Sequence, residues 1–243
     1  KAASTGAFVA GGAVRKWSSI SAAPSSNSSI ASQPSANAAL TDTPLLEVPQ
    51  SISVIGRDDM DARGAQDIME AVRYTPGVAV GNWGFDPRGI DWILMRGFDA
   101  TSGMSGYRDG LAMPAYAVTE TYGLERVEVL RGPASAVFGQ GDAGGIINRV
   151  SKMPGNTPVR EVEVKYGSFQ REQLAFDLGG VASDMLSYRL VGLGLDTNSQ
   201  MRYGDGTPFA NKRTYLAPSL RWRPTAKTSF TLLGELLDNK ASD

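Results

Sequence analysis

Hydrophobic and polar positions change their rhythm once along this chain, near residue 158. From Pro158 onward the alternation has period two: Val162, Val164 and Tyr166 against Glu161, Glu163 and Lys165; Leu174, Phe176 and Leu178 against Gln173, Ala175 and Asp177. Thr214, Leu216, Pro218, Leu220 and Trp222 alternate with Arg213, Tyr215, Ala217, Ser219 and Arg221, and Phe230, Leu232, Gly234 and Leu236 form a further set. Leu186–Leu195 is strand-like too, but its phase slips around Gly192, so its faces stay unassigned. This predicts about five strands of roughly eight to eleven residues, a pattern that fits a half-buried antiparallel sheet and equally strands crossing a bilayer at a tilt. Trp222, at the end of its apolar face, sits where an interfacial aromatic would.

Before Pro158 the elements are shorter and mixed. Gln50–Ile55 predicts a strand; Asp58 or Asp59 caps a short helix broken at Gly64; Ala65–Tyr74 places Ile68, Met69 and Val72 on one helical face and stops at Pro76-Gly77. Gly77–Val80, Trp92–Arg96, Glu125–Leu130 and Ile146–Val150 predict further strands, separated by loops at 81–91, 99–106 and 112–122. This is a small α+β unit of roughly a hundred residues with its glycines and aromatics in long loops. Residues 1–40 are rich in Ser, Ala, Asn and Gly and predict a flexible leader. The expected organisation is therefore a leader over 1–40, an α+β domain over 41–155 and a strand domain over 156–243.

Composition narrows the chemistry. Lys and Arg number 24 against 25 Asp and Glu, so no basic footprint points to nucleic acid. Cysteine and histidine are both absent, which removes thiol chemistry, Cys/His zinc sites and His-based nucleophile pairs. No run of about eighteen apolar residues marks a membrane helix, and Ala7–Val14 is not a signal peptide, so an exported protein has had its signal removed. Gly139-Gln140-Gly141-Asp142-Ala143-Gly144 matches G-x-G-x-x-G, but it follows a helical turn and precedes a β-rich run, where a dinucleotide fingerprint follows a strand and opens a helix. Glycines that permit a sharp bend and close backbone approach explain it better. Trp83, Phe85, Tyr107 and Tyr116 in loops are either core anchors or a ligand platform. Arg96 and Arg131 each end an apolar strand before a glycine: they are solvated strand ends, or a buried guanidinium pair needing carboxylate partners, with Glu125 and Glu128 nearby in sequence.

The segments VPQSISVIGRDDM, DIMEAVRYTPGV, ILMRGFD, YRDGL and LERVEVLRGPASAVFGQGDAGGIINRVSKMP, in this order, resemble the plug domain of TonB-dependent outer-membrane receptors, nearest to the ferrichrome-type hydroxamate-siderophore group. Residues 158–243 are similar to the first strands of the barrel of about 22 strands that surrounds such a plug. The resemblance implies a receptor that binds a ferric siderophore and imports it through TonB and the proton-motive force, in the outer membrane and in contact with its lipid, with no bond chemistry, no cofactor and no protein metal ligands. It places Trp83, Gly103, Met104 and Tyr116 at the ligand, with Trp83 where an arginine is frequent, and it makes Arg96 and Arg131 anchors to barrel glutamates. TonB would engage the N-terminal segment, where Ala7–Val14 is the one apolar candidate. A same-family receptor for a catecholate siderophore, cobalamin, haem or a sugar is the alternative, with a nucleotide-binding enzyme at Gly139–Gly144 behind it. Five strands cannot close such a barrel, so a fragment or truncated product of poor solubility is expected.

Overall fold

The computed structural model describes residues 15–17, 51–84, 86, 88–100, 106–132 and 142–241. They form two compact units, one within 51–152 and one comprising 153–241 with 15–17.

The first unit is built on a five-stranded sheet. Strand β2 (Ser51–Gly56) pairs antiparallel with β8 (Leu124–Arg131), which pairs antiparallel with β9 (Gly145–Ser151); β9 runs parallel to β6 (Gly106–Arg108), and β7 (Leu111–Ala112) closes the edge. The β2–β8 register runs from Ser51 opposite Arg131 to Gly56 opposite Arg126. A smaller sheet holds β3 (Val78–Val80), β4 (Ile93–Met95) and β5 (Phe98–Asp99). Helix α1 (Arg57–Arg63) starts after Gly56, with the expected capping aspartates 58 and 59 in its first turn instead, and ends at Gly64 in the left-handed region (φ 67°), whose N–H reaches the carbonyls of Met60 and Asp61. Helix α2 is shorter than its apolar spacing predicts, covering Ile68–Val72, because Asp67 takes the N-cap position and accepts the Glu70 N–H. Met60, Ile68, Ala71 and Val72 from the helices, Ile93 and Met95 from β4, and Leu124, Val127, Val129 and Ile147 from the sheet make one core.

Strand β8 is buried on both faces, so its charged position 128 had to be satisfied internally. Glu128, fully buried, accepts from Arg126 Nε at 2.7 Å and Asn148 Nδ2 at 3.0 Å. The glycines at the start of β9 are there for close approach: a Cβ on Gly144 would stand 2.2 Å from the Met95 carbonyl oxygen, and one on Gly145 (φ 128°) 2.0 Å from that of Leu130. This part of the glycine cluster opens a strand, not a helix. Gly139 and Gly141 lie outside the described residues.

The second unit is an antiparallel meander: β10 (Val159–Gly167), β11 (Arg171–Ser183), β12 (Leu186–Arg202) and β13 (Pro208–Thr225), followed by β14 (Thr228–Leu233) and β15 (Leu236–Ala241), which both pair with β13. Strand β1 (Arg15–Trp17), within the segment expected to be flexible, pairs with β10 at the sheet's edge. The polarity of this sheet is inverted. Val162, Val164, Tyr166, Leu174, Tyr188, Leu220, Trp222, Phe230, Leu232 and Leu236 are exposed, while Glu163, Gln173, Asp177, Ser187, Arg213 and Ser219 on the other face are buried. The polar face is tied strand to strand, with Gln173 Nε2 donating to Glu163 at 3.1 Å and Arg189 making a bidentate pair with Asp177 at 2.9 Å.

The phase slip expected at Gly192 does not occur. Pairing runs unbroken from Leu186 opposite Trp222 to Asn198 opposite Ala210, and Gly192 lies on the exposed apolar face opposite Phe176. The Phe176 ring covers the glycine; a Cβ there would meet its Cζ at 2.4 Å. Glycine plus a cross-strand aromatic therefore does the work of an apolar side chain.

Candidate functional site

Three aromatic rings meet at the loops of the first unit. Loop 81–92 joins β3 to β4 and is closed at its base by the Gly81 N–H donating to the Trp92 carbonyl at 3.0 Å. Trp92, the last residue before β4, packs against Trp83 on one side (ring centroids 6.3 Å apart, 59° between planes) and Tyr116 on the other (5.9 Å, 64°). Both geometries are tilted or edge-on, the arrangement ring quadrupoles favour. Trp83 is 71% exposed and Tyr116 48%, so the tier offers much of its surface to solvent. Tyr116 holds φ at 60°, a left-handed conformation that costs a non-glycine residue energy and recurs at ligand-contacting loops.

Asp86 sets the orientation of the middle ring. Its carboxylate accepts the Trp92 indole N–H at 3.1 Å and the backbone N–H and guanidinium of Arg88 at 2.7–3.0 Å. The Arg88 guanidinium, with the Arg88 backbone N–H and the Trp92 N–H, holds Asp86 below the usual carboxylate range. Arg88 itself remains largely exposed beside the tier.

Beneath Tyr116 lies a cavity of about 20 Å³ lined by Ile90, Asp91, Met113, Pro114, Ala117 and Arg149, among others. Asp91 and Arg149 are both buried, and Arg149 Nη2 stands 3.9 Å from Asp91 Oδ2. Burial pushes Asp91 up to about 7, a rise that Arg149 and the backbone N–H groups of Met69 and Ile68 oppose and Asp67 reinforces. Burial likewise lowers the Arg149 guanidinium, against the pull of Asp91.

Of the residues expected at a ligand, Trp83 and Tyr116 belong to one tier, brought together by Trp92, which strand patterning had assigned to an apolar strand. Gly103 and Met104 lie outside the described residues, as does Phe85. Tyr107 is a core anchor, packed with Leu130 and Ile146. Arg96 and Arg131 do converge: a Cβ on Gly77 would meet Arg131 Cδ at 3.6 Å and Arg96 Cγ at 3.8 Å. They are not a buried pair within this unit. Arg96 is exposed, and Arg131, half-buried, donates to Ser51 Oγ at 3.0 Å, Ser53 Oγ at 2.9 Å and the Pro76 carbonyl at 3.0 Å. Glu128 is taken by Arg126 and Asn148, and among the described residues no carboxylate forms an ion pair with either arginine.

Comparison with known proteins agrees with this architecture. Residues 44–146 match the family described as TonB-dependent Receptor Plug Domain. The chain is 38% identical over 200 residues to the ferrichrome outer membrane transporter/phage receptor of Escherichia coli K12, an alignment covering 79% of this chain and 26% of the relative. It is 36% identical over 202 residues to the ferrioxamine B receptor of Salmonella typhimurium SL1344, covering 80% and 28%. Among solved structures it is similar to the ferric-catecholate import receptor Fiu of E. coli K12 in its closed form (TM-score 0.76, 26% identity, 86% of this chain and 29% of that one). The pyoverdine outer membrane receptor FpvA of Pseudomonas aeruginosa PAO1 superposes with TM-score 0.70 at 25% identity, over 80% and 28%. The chain thus spans 26% to 28% of the length of the curated relatives named here.

Proposed function

We propose that the receptor this chain forms part of, a TonB-dependent receptor with a plug domain followed by antiparallel strands of the barrel type, binds a ferric siderophore on the Trp83–Trp92–Tyr116 tier and imports it. The family comprises receptors and transporters, not enzymes. The observation that carries the reading is the exposed tier itself, three rings from two loops packed on Trp92, whose indole N–H is fixed by Asp86. Flat rings with one polar handle give a large contact area at small entropic cost, which suits a bulky chelate arriving with its iron already coordinated. Relatives named for ferrichrome and ferrioxamine support a hydroxamate ligand.

The second unit supports the location. From Lys212 to Trp222 is ten residue steps on one face of β13, about 34 Å along the strand at about 3.4 Å per residue. At a tilt of about 40° that projects to about 26 Å, the height of the apolar band of an outer-membrane barrel. Trp222 stacks on Phe230 at one end of the band (5.7 Å, 26°) and Tyr166 stands at the other, as an aromatic girdle requires. TonB and the proton-motive force supply the energy, with TonB engaging the segment before β2. Arg96 and Arg131, side by side and with donors to spare, anchor the plug to barrel glutamates, as the family resemblance implies.

The test is quenching of tryptophan fluorescence by ferrichrome and by ferrioxamine B in the intact receptor. Binding of either in the micromolar range or tighter is expected, weakened about tenfold by Trp83→Ala, about 1.4 kcal/mol. No response to either, or an unchanged affinity in the variant, overturns the assignment of the tier.

A further inference from the structure

Few charges of the plug lie where a bound chelate would feel them. Loop 81–92 carries Asp86, Arg88 and Asp91, residues 100–105 and 112–119 carry none, and Asp99 lies on β5 opposite Leu94. Asp91 is buried and faces Arg149. Asp86 and Arg88 are therefore the charged pair of the tier itself. One oxygen of Asp86, Oδ2, accepts both the Trp92 indole N–H at 3.1 Å and Arg88 Nη2 at 2.7 Å, while Oδ1 takes Arg88 Nε at 3.0 Å and the Arg88 backbone N–H at 2.9 Å. Asp86 raises the guanidinium above its ordinary value, and the Tyr116 phenol adds to this, so Arg88 acts on both sides of the tier.

The two members of the pair meet solvent unequally: the Arg88 side chain is 63% exposed and that of Asp86 7%. Alone, a cation so placed would draw anionic chelates to the rings. The carboxylate bound to it through two parallel bonds cancels that attraction. Asp86 stays ionised through the neutral range, because Arg88 holds its carboxyl below the usual carboxylate values. The tier thus offers aromatic surface and a charge pair that sums to zero. Such a surface returns nothing to a chelate that must shed water from a surplus charge. Ferric iron held by three hydroxamate anions is neutral, whereas three catecholate dianions leave three negative charges in excess. We propose that Asp86 is a specificity-determining residue of the tier: by cancelling Arg88 it makes the tier favour ferric chelates without surplus charge and keeps the cation from recruiting anionic ones. The inference rests on the siderophore reading for the ligand, and not for the cancellation of charge.

The experiment is a charge series on one chelate, bound to the intact receptor. Ferrioxamine B carries one ammonium; acetylating its amine makes it neutral, and succinylating it makes it an anion, with the iron centre unchanged. Wild type should bind all three within about twofold. Two units of chelate charge against one protein charge, roughly 8 Å apart in water, change the Kd ratio about fivefold. Asp86→Asn should therefore favour the succinyl form over the parent by about fivefold, Arg88→Gln should favour the parent by as much, and the double variant should again be flat. Each ratio is taken within one variant, so a shifted Trp92 that weakens every chelate alike drops out, and at about 1 M salt the differences should vanish. A flat series in both single variants overturns the proposal, as does a steep series in the wild type, which decides alone should the variants fail to fold. Quenching of Trp83 by iodide and by caesium, with Trp83→Phe as the blank, reads the same charge without a siderophore. The iodide-to-caesium ratio should rise about fivefold in Asp86→Asn and fall as far in Arg88→Gln. If no chelate binds while these ratios shift, the siderophore reading fails and the cancellation stands; unchanged ratios in both variants refute the cancellation.

Discussion

Replacing Gly145 by alanine isolates what the glycine cluster does. The added Cβ would lie 2.0 Å from the Leu130 carbonyl oxygen, 2.6 Å from Met95 Cε and 3.0 Å from Arg131 Cα, with φ at 128°. Carbon–oxygen contacts normally settle at about 3.3–3.6 Å, so β8 and β9 must part by more than about 1 Å at that end. Losing the terminal ladder bond costs about 1 kcal/mol, and holding an L residue at positive φ costs about 1–2 kcal/mol. Displacing Met95 in a close-packed core adds about 1 kcal/mol, for a total of about 3 kcal/mol. Two other glycines separate the contributions. Gly81 has φ 71° with nothing within 4 Å of its Cβ position, and Gly56 has neither constraint. Amide exchange of residues 146–150 in the intact receptor reads the outcome: about a hundredfold faster in Gly145→Ala, by about 1.4 kcal/mol per factor of ten, with little change in Gly56→Ala. Gly81→Ala should cost about 1 kcal/mol, confined to loop 81–92. Exchange in Gly145→Ala within threefold of wild type would show that the close approach is not a constraint.

Glu128→Gln should destabilise the plug by about 2–3 kcal/mol, measured by urea titration of the intact receptor, because Arg126 loses its charge partner in a buried setting; a change below about 0.5 kcal/mol refutes this. Gly192→Ala should lower the thermal midpoint, and adding Phe176→Ala, which removes the ring that the new methyl strikes, should recover part of the loss; strictly additive effects refute the pairing. Asp86 gives the tier a pH dependence of its own, because the Arg88 guanidinium holds its carboxyl below the ordinary range. Its lowered value means that its hold on Trp92 is complete above about 4 and is lost as pH falls through the depressed value. Asp86→Asn should therefore alter tryptophan emission at neutral pH and match the wild type in strong acid, whereas a difference that persists there would place the effect elsewhere.

How far the structure was legible depended on whether the determining contacts were local. Alternation alone located the strands of 159–225, because each pairs with its sequence neighbour and one face is largely apolar, but it ran Phe230–Leu236 together where the chain forms β14 and β15, both paired with β13. It failed at Gly192, where a residue with no side chain stands on the apolar face while Val191 and Leu193 are buried on the other. Hydrophobicity cannot report that a phenyl ring from β11 fills the gap. In the plug, Trp83 and Tyr116 were visible as loop aromatics, yet Trp92 was hidden within an apolar run, although the Asp-x-Arg sequence six residues before it marks a local turn. Asp91 and Arg149 are 58 positions apart, and nothing in spacing announces that a loop carboxylate and a strand guanidinium will be buried together. Arg96 and Arg131 were recognisable as a pair, but their partners were not, since Glu128, the nearest carboxylate in sequence to Arg131, is engaged across the sheet with Asn148.

The pairing of β2 with β8 also bears on how fast the chain can organise itself. Ser51 meets Arg131, eighty positions away, whereas in the second unit Gly167 meets Arg171 after four. With closure entropy growing as the logarithm of loop length, bringing the plug's first strand home costs about 3 kcal/mol more than closing that hairpin. The central sheet cannot assemble until β2 has found β8 across this distance, while the hairpins after Pro158 can zip from their turns. High contact order of this kind slows folding by orders of magnitude. The plug is thus the late-closing part of the molecule, and until it closes β2 remains an unpaired edge in need of protection.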